Sequence, residues 1–356
     1  MSGPTLSELD VLVVGAGQAG LAAGYWLSQS QRTFVTLDRA ARIGESWRQR
    51  YDSLSLFTPR AFSSLPGMIL SGDSEGYASA REFADYLEGY AAKFSLPVRT
   101  SVEVSRLARP DDGPFLATLS TGTSITAGAV VVAAGAFQKP KLPALAGRLD
   151  GRVTQLTVGT FRRPTDTPEG TVLVVGDGAS GRDIAADLAG ARRVLLATGR
   201  KRRLLPEHLL GRSAWWWLNA TGLMRAGPNS PIGRIMRAAD PFPNRNRSLV
   251  DLQRQGIVIK PRVLSADGSE VTFADGTRSS INAVVWTVGY EDDTRWIDIA
   301  EAKDGDGGII SEDGHSPVPG LYHLGRPWQR NRASALIMGA GPDAKLVVDH
   351  LLAHGT

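Results

Sequence analysis

Val11-Leu12-Val13-Val14-Gly15-Ala16-Gly17-Gln18-Ala19-Gly20 decides the fold. The β-branched run Val11–Val14 is a buried strand in pattern, and it runs straight into three glycines. Leu21, Tyr25 and Leu27 then continue at helical spacing. In a strand–turn–helix unit of this spacing, Gly15 permits the tight turn and Gly17 lets backbone approach a pyrophosphate. Gly20 lets helix pack closely on strand. The start of the helix offers free N–H groups to the phosphates. A second strand, Phe34–Leu37, ends at Asp38, where a carboxylate can accept the hydroxyl protons of a ribose.

The pattern recurs. Thr171–Val175 is a strand, Gly176-Asp177-Gly178-Ala179-Ser180-Gly181 the loop, and Ile184 and Leu188 open the next helix. The following strand, Arg193–Ala197, ends not in an acid but in Thr198-Gly199-Arg200-Lys201-Arg202-Arg203. A carboxylate repels a 2′-phosphate, whereas guanidinium and ammonium groups attract it. The first loop therefore suits an unphosphorylated adenosine, in FAD or NAD, and the second suits NADPH, held by Gly176, Gly178, Ser180, Gly181 and the cations Arg200, Lys201 and Arg202. The expected fold is α/β with two Rossmann-like dinucleotide-binding domains, the first discontinuous.

Helix Arg81–Phe94 and strands Val102–Val104, Phe115–Leu119 and Val130–Ala134 are expected between the loops. Both Ala133-Ala134-Gly135 and the strand Ala283–Gly289 end in glycine, where backbone passes close to a neighbour. Asp275-Gly276 has the sequence of a hairpin turn between Val271–Phe273 and the strand leading to Trp286. Lys139–Pro143 marks the crossing into the second domain and Tyr290 the return. The expected FAD-binding domain is 1–145 with 290–356, and the NADPH-binding domain is 146–289.

Composition removes several alternatives. The chain has 356 residues and no cysteine, which excludes disulfides, thiolate metal sites, iron–sulfur clusters and dithiol redox centres. Forty basic against 36 acidic residues leave +4, too little to imply a nucleic-acid or membrane partner. No apolar run approaches the ~18 residues of a spanning helix, and no signal-peptide pattern is visible, so the expected location is the cytoplasm. The five histidines lack the spacing of a metal site, and no metal is expected. A homodimer is the statistical default.

Further segments carry a resemblance. Gly44-Glu45-Ser46-Trp47-Arg48, Tyr51–Arg60, Leu65-Pro66-Gly67, Gly211–Leu218 and Pro319–Gly325, together with both loops, resemble the flavin-containing monooxygenases of the single-component, two-dinucleotide type. The resemblance spans nearly the whole chain. It implies FAD on the first domain, NADPH on the second and a substrate site between them. It also implies hydride transfer from NADPH to flavin, reaction of reduced flavin with O2 to a C4a-peroxyflavin, and oxygenation of a small molecule at sulfur, nitrogen or beside a ketone. By position it adds Gln18, Arg39, Gly44, Trp47, Arg48, Leu54, Val102, Ala134, Gly135, Gly289, Gly325 and Trp328 to Gly15, Gly17, Gly20 and Asp38 as cofactor contacts. Asp52, Thr58 and Asn331 are its candidate catalytic residues, with Phe57 beside the flavin ring.

One signature departs from the family. Before the second loop the register gives Leu149, Gly151, Gln155 and Gly159, so glutamine stands where the family has histidine. Two other readings therefore stay open: an NADPH-dependent flavin or ferredoxin-type reductase, and a flavin-binding protein with impaired catalysis.

Overall fold

The computed structural model describes residues 8–202, 204–239 and 241–354. Alternation in the two opening strands builds two sandwiches. In Glu8–Val14, Val11 and Val13 face one apolar cluster while Leu12 faces another. In Thr171–Val175, Val172 and Val174 point one way and Leu173 the other, all fully buried. Each strand is thus covered on both faces, the condition for a parallel sheet.

Among the described residues the first sheet has eight strands. Glu8–Val14 lies in its middle, parallel to Phe34–Leu37 on one side and to Ser124–Val132 on the other. The free edge of Ser124–Val132 is shared. Phe115–Leu119 pairs antiparallel with its first half, and Leu321–His323, from near the end of the chain, pairs parallel with its second. The second sheet is wholly parallel, in the order Val258–Lys260, Arg193–Ala197, Thr171–Val175, Ala283–Trp286, Thr154–Thr157. It is built entirely from the middle of the chain, so the first unit is discontinuous. Where the chain leaves and returns, Lys139–Pro140 and Tyr290–Glu291 pair antiparallel. The C-terminal helix Ile337–His354 closes on Gln18–Leu27, where Trp26 Nε1 donates to the Gly341 carbonyl at 3.2 Å.

Several expected elements move. The helix runs Ala80–Lys93, one residue early, because Ser79 and Glu82 form a reciprocal capping box at its start. The strand expected at Val102–Val104 is Val104–Ala108; Val102 instead hydrogen-bonds Asp38 through its backbone. The strand expected at Val130–Ala134 begins at Ser124 and stops at Val132, because the chain turns away through Gly135 at φ +78°. Asp275-Gly276 does turn a hairpin, but its second arm is Arg278–Ser280 in a separate antiparallel sheet; Ala283–Trp286 then enters the parallel one.

Candidate active site

The two glycine loops have nearly the same geometry. Gly15 and Gly176 are left-handed at φ +106° and +108°. A Cβ on Gly15 would stand 2.5 Å from the Ala133 carbonyl oxygen, and one on Gly176 would stand 2.6 Å from that of Thr287. Both loops are therefore pressed against the neighbouring strand end. A Cβ on Gly20 or Gly181 would reach the loop's own carbonyl, Gly15 O at 1.8 Å or Gly176 O at 1.9 Å. Gly17 differs: a Cβ there meets nothing within 4 Å. Its vacant side opens into a cleft of about 1060 Å³. That is the cradle a pyrophosphate needs, so the residues present fit a dinucleotide.

The cleft brings together much of the expected flavin set. Gly15, Gly17, Gln18, Asp38 and Arg39 line one end. Gly44, Trp47, Leu54, Thr58, Val102, Ala134, Gly135 and Gly325 line it as well. Trp47 Nε1 donates to Gln18 Oε1 at 3.3 Å, tying the 44–48 segment to the loop. Asp38 accepts from the Ala16 amide at 2.6 Å and the Ala40 amide at 2.8 Å. A carboxylate has about four lone-pair sites, so acceptor capacity is left for a ribose.

Ser180 and Asp183, on the helix after the second loop, line the same cleft. Its lining also includes Ala335, Leu336 and Ile337 at the start of the C-terminal helix, an end that carries partial positive charge. Ala335 itself is left-handed at φ +67°. Arg50 spans the crossing strands: it donates to the Tyr290 hydroxyl and lies 5.5 Å and 5.4 Å from the Phe137 and Tyr290 ring centres. Sequence reasoning missed Arg50, Gln138, Asp183 and the 335–337 turn. Only the arginine beside the quoted Trp47–Arg48 pair carried any signal.

Other expected residues lie elsewhere. Asp52 is exposed, its carboxylate 3.4 Å from Arg163, and does not line the cleft. It raises the carboxyl of Asp187, which burial has already pushed up. Thr58 is buried and its hydroxyl is engaged with Ser63 at 2.8 Å. Asn331 is buried outside the cleft lining, and its side-chain oxygen accepts from the Ala333 amide at 2.9 Å. Trp328, also outside it, is left-handed at φ +58° and faces the Arg332 guanidinium. Arg48 turns to the Ala80–Lys93 helix, pairing with Asp85 and Glu88. Gly176, Gly178 and Gly289 in the turns, and Gly20 and Gly181 in the first turns of the two helices, do not line the cleft.

At the second loop, Arg202 Nη2 lies 3.8 Å from where a Gly178 Cβ would stand, and its Nε lies 3.7 Å from Asp177. Arg200 leans instead toward the Ala238 carbonyl at 3.4 Å, and Lys201 is exposed. Arg203 lies outside the described residues. Beneath the loop, Asp177 and Arg182 form a buried ion pair at 3.2 Å, with Arg182 also donating to the Asp177 and Arg247 carbonyls. Burial pulls the Arg182 guanidinium below its ordinary pKa.

Gln155 sits on the Thr154–Thr157 strand away from the cleft. It accepts from the buried Trp286 Nε1 at 3.1 Å and donates to the Ala146 carbonyl at 3.0 Å. Folding also stacks three histidines the sequence keeps apart. The His315 and His350 rings are 4.2 Å apart, and those of His350 and His354 are 4.1 Å apart. Among the described residues no group of three or more ligands could hold a metal ion, and no helix is long and apolar enough to cross a membrane.

Comparison with known proteins agrees with this architecture. A protein described as an uncharacterized CzcO-like oxidoreductase of Geobacillus kaustophilus is 44% identical, over 97% of this chain and 99% of its own length. A probable indole-3-pyruvate monooxygenase of Arabidopsis thaliana, YUCCA8, is 26% identical over 88% of this chain and 83% of its own. The flavin-containing monooxygenase of Stenotrophomonas maltophilia superposes with a TM-score of 0.81 at 23% identity, covering 98% of this chain and all of that one. The resemblance to flavin-containing monooxygenases therefore holds at the level of the fold. Residues 12–205 match the model of the pyridine nucleotide-disulphide oxidoreductases, and the chain, though it has no cysteine to form a redox disulfide, belongs to that family of oxidoreductases.

Proposed function

We propose that the protein is an NADPH-dependent FAD monooxygenase that oxygenates a small molecule, with FAD on the 1–145 and 290–356 unit and NADPH on 146–289. One observation carries the reading. Two glycine cradles on two sheets converge on one cleft, the first opening into it at Gly17 and the second lining it through Ser180 and Asp183.

When bound, FAD and NADPH supply the hydride and oxygen chemistry, and the chain supplies position and shielding. The amides at the start of Gln18–Leu27 bind the FAD pyrophosphate, and Asp38 binds its ribose. Arg202, above the second loop, binds phosphate of NADPH. Leu54, Phe57 and the Trp215 ring packed 5.9 Å from Phe57 form an apolar wall that keeps water from the reacting atoms.

The test is NADPH oxidation by the flavin-loaded protein across sulfides, amines and ketones under 18O2, with hydrogen peroxide measured in parallel. Label in the organic product supports the reading. NADPH consumption that yields only peroxide with every class, or passes only to a quinone or ferredoxin, removes it in favour of a reductase.

A further inference from the structure

Between Glu207 and Asp240 the chain carries four arginines, Arg212, Arg225, Arg234 and Arg237, and no further aspartate or glutamate. The overall charge of +4 conceals this local bias. The same stretch leaves large apolar side chains in solvent: Leu209 is 51% exposed and Leu210 is 83% exposed, with Ile232 and Ile235 on the Pro231–Ala239 helix at 48% and 69%.

The tip of this region is a hairpin in which His208–Leu209 pairs antiparallel with Arg212–Ser213. Leu210-Gly211 is its two-residue turn, and both residues are left-handed, at φ +50° and +75°. Such turns ordinarily take Asn, Asp or Gly, because a side chain there is strained. A leucine that is both strained and exposed serves neither the turn nor the core.

The hairpin is braced. Trp217 Nε1 donates to the Leu209 carbonyl at 2.8 Å, and Trp216 packs edge-on against Trp217 at 4.9 Å. The Arg212 guanidinium lies 5.6 Å from the Trp216 ring centre. On the same helix Trp215 is buried and donates Nε1 to the Phe57 carbonyl at 2.7 Å. The patch is therefore fixed to the wall of the cleft.

We propose that this face docks on an anionic lipid bilayer surface, with Leu209 and Leu210 entering the headgroup region, Trp216 at the interface and Arg212 meeting lipid phosphates. Glu207, at the base of the hairpin, is engaged by the Tyr77 hydroxyl, and exposed leucine, interfacial tryptophan and arginine in excess over acid is the composition that binds such a surface. A second copy of the chain fits poorly, since an isologous contact would set arginines against arginines with no carboxylate in 208–239 to pair them. Surface docking needs neither a spanning helix nor a high net charge, the two features whose absence led the sequence reading to expect no membrane partner.

The experiment is co-sedimentation of the full-length protein with vesicles of phosphatidylcholine alone or mixed with phosphatidylglycerol, at low and high salt. Binding is expected only to the anionic vesicles and is expected to weaken with salt. Leu210→Gly relieves the left-handed strain, so its melting temperature should hold or rise, while partitioning falls about tenfold through loss of the apolar tip. Arg212→Gln should lower partitioning about fivefold. The proposal is overturned if anionic vesicles do not sediment the protein or if Leu210→Gly binds them as wild type does. It is equally overturned if light scattering shows a dimer that Leu210→Gly dissolves, which would make the face a contact between copies.

Discussion

Tyr51, from the segment beside the first cradle, donates its hydroxyl to Asp183, on the helix after the second, at 3.2 Å. Its ring is buried in the apolar cluster of the second sheet rather than the first. Ser180 also bonds the hydroxyl, and burial together with the charge of Asp183 raises its pKa far above the ordinary range, so it stays a donor. One side chain thus pins the segment beside the first glycine loop to the helix after the second. Tyr51→Phe keeps the ring and loses the bond, and should lower unfolding free energy by about 1 kcal/mol. Tyr51→Ala opens a cavity and should lower it by about 3–5 kcal/mol. Denaturant titration checks both; equal effects would mean the ring packing contributes nothing.

Gly17 and Gly20 should separate binding from folding. A side chain on Gly17 enters open cleft at an extended φ of −75°, so Gly17→Val should melt like wild type yet hold no flavin. A Cβ on Gly20 collides with the Gly15 carbonyl, and Gly20→Val should give little folded protein. Flavin absorbance and circular dichroism read the two outcomes. Normal flavin content in Gly17→Val would place the cofactor elsewhere.

Arg202 and Arg200 divide a cluster that sequence alone leaves undivided. Arg202 stands over the second loop, whereas Arg200 leans toward Ala238. A charge-assisted contact to phosphate is worth roughly 1.5–3 kcal/mol, so Arg202→Ala should raise the KM for NADPH at least about tenfold. Arg200→Ala should raise it less. Steady-state kinetics with NADPH and NADH decide whether either residue senses the 2′-phosphate. A KM for NADH that rises as much as that for NADPH would assign the arginine to the pyrophosphate.

The two cradles were legible in sequence because their chemistry is local: a strand, a glycine turn and a helix within about ten residues. The strands Phe34–Leu37, Phe115–Leu119, Thr171–Val175 and Arg193–Ala197 carried the same local signal and have those bounds in the structure. Long-range placement was not legible. Asp52 and Leu54 are two residues apart, yet only Leu54 faces the cleft, because Asp52 is drawn out by Arg163. Likewise the pairing of Leu321–His323 beside Val130–Val132 depends on a chain return of about 190 residues.

Gln155 illustrates the limit. In the position of the family histidine, it joins Trp286 and Ala146 within the second unit. Gln155 is exposed, so in Gln155→Ala water can take its place at the Trp286 N–H, and the change should cost about 1 kcal/mol of stability or less. Peroxide release per NADPH should stay unchanged. An increase in peroxide without loss of stability would return this position to a role in coupling.

His323 gives the pH dependence. It closes the Leu321–His323 strand, is 1% exposed, and its Nε2 is buried with no hydrogen-bond partner among the described residues. Burial, and secondarily the Arg326 charge, push its imidazole down from 6.5 to about 4. The ring is neutral in the folded chain, whereas the unfolded chain takes up its proton near pH 6.5. Its contribution to stability is therefore complete above pH 6.5, declines as pH falls toward 4, and changes no further below that. The span of roughly 2.5 units corresponds to about 3 kcal/mol. Carboxylates titrate in the lower part of the same window, so the comparison must be with His323→Leu, which keeps an apolar side chain and cannot take the proton. Unfolding free energies at pH 7.5, 6, 5 and 4.5 should fall more steeply for wild type than for the variant. Parallel curves would mean that the folded chain also binds the proton, with water reaching His323.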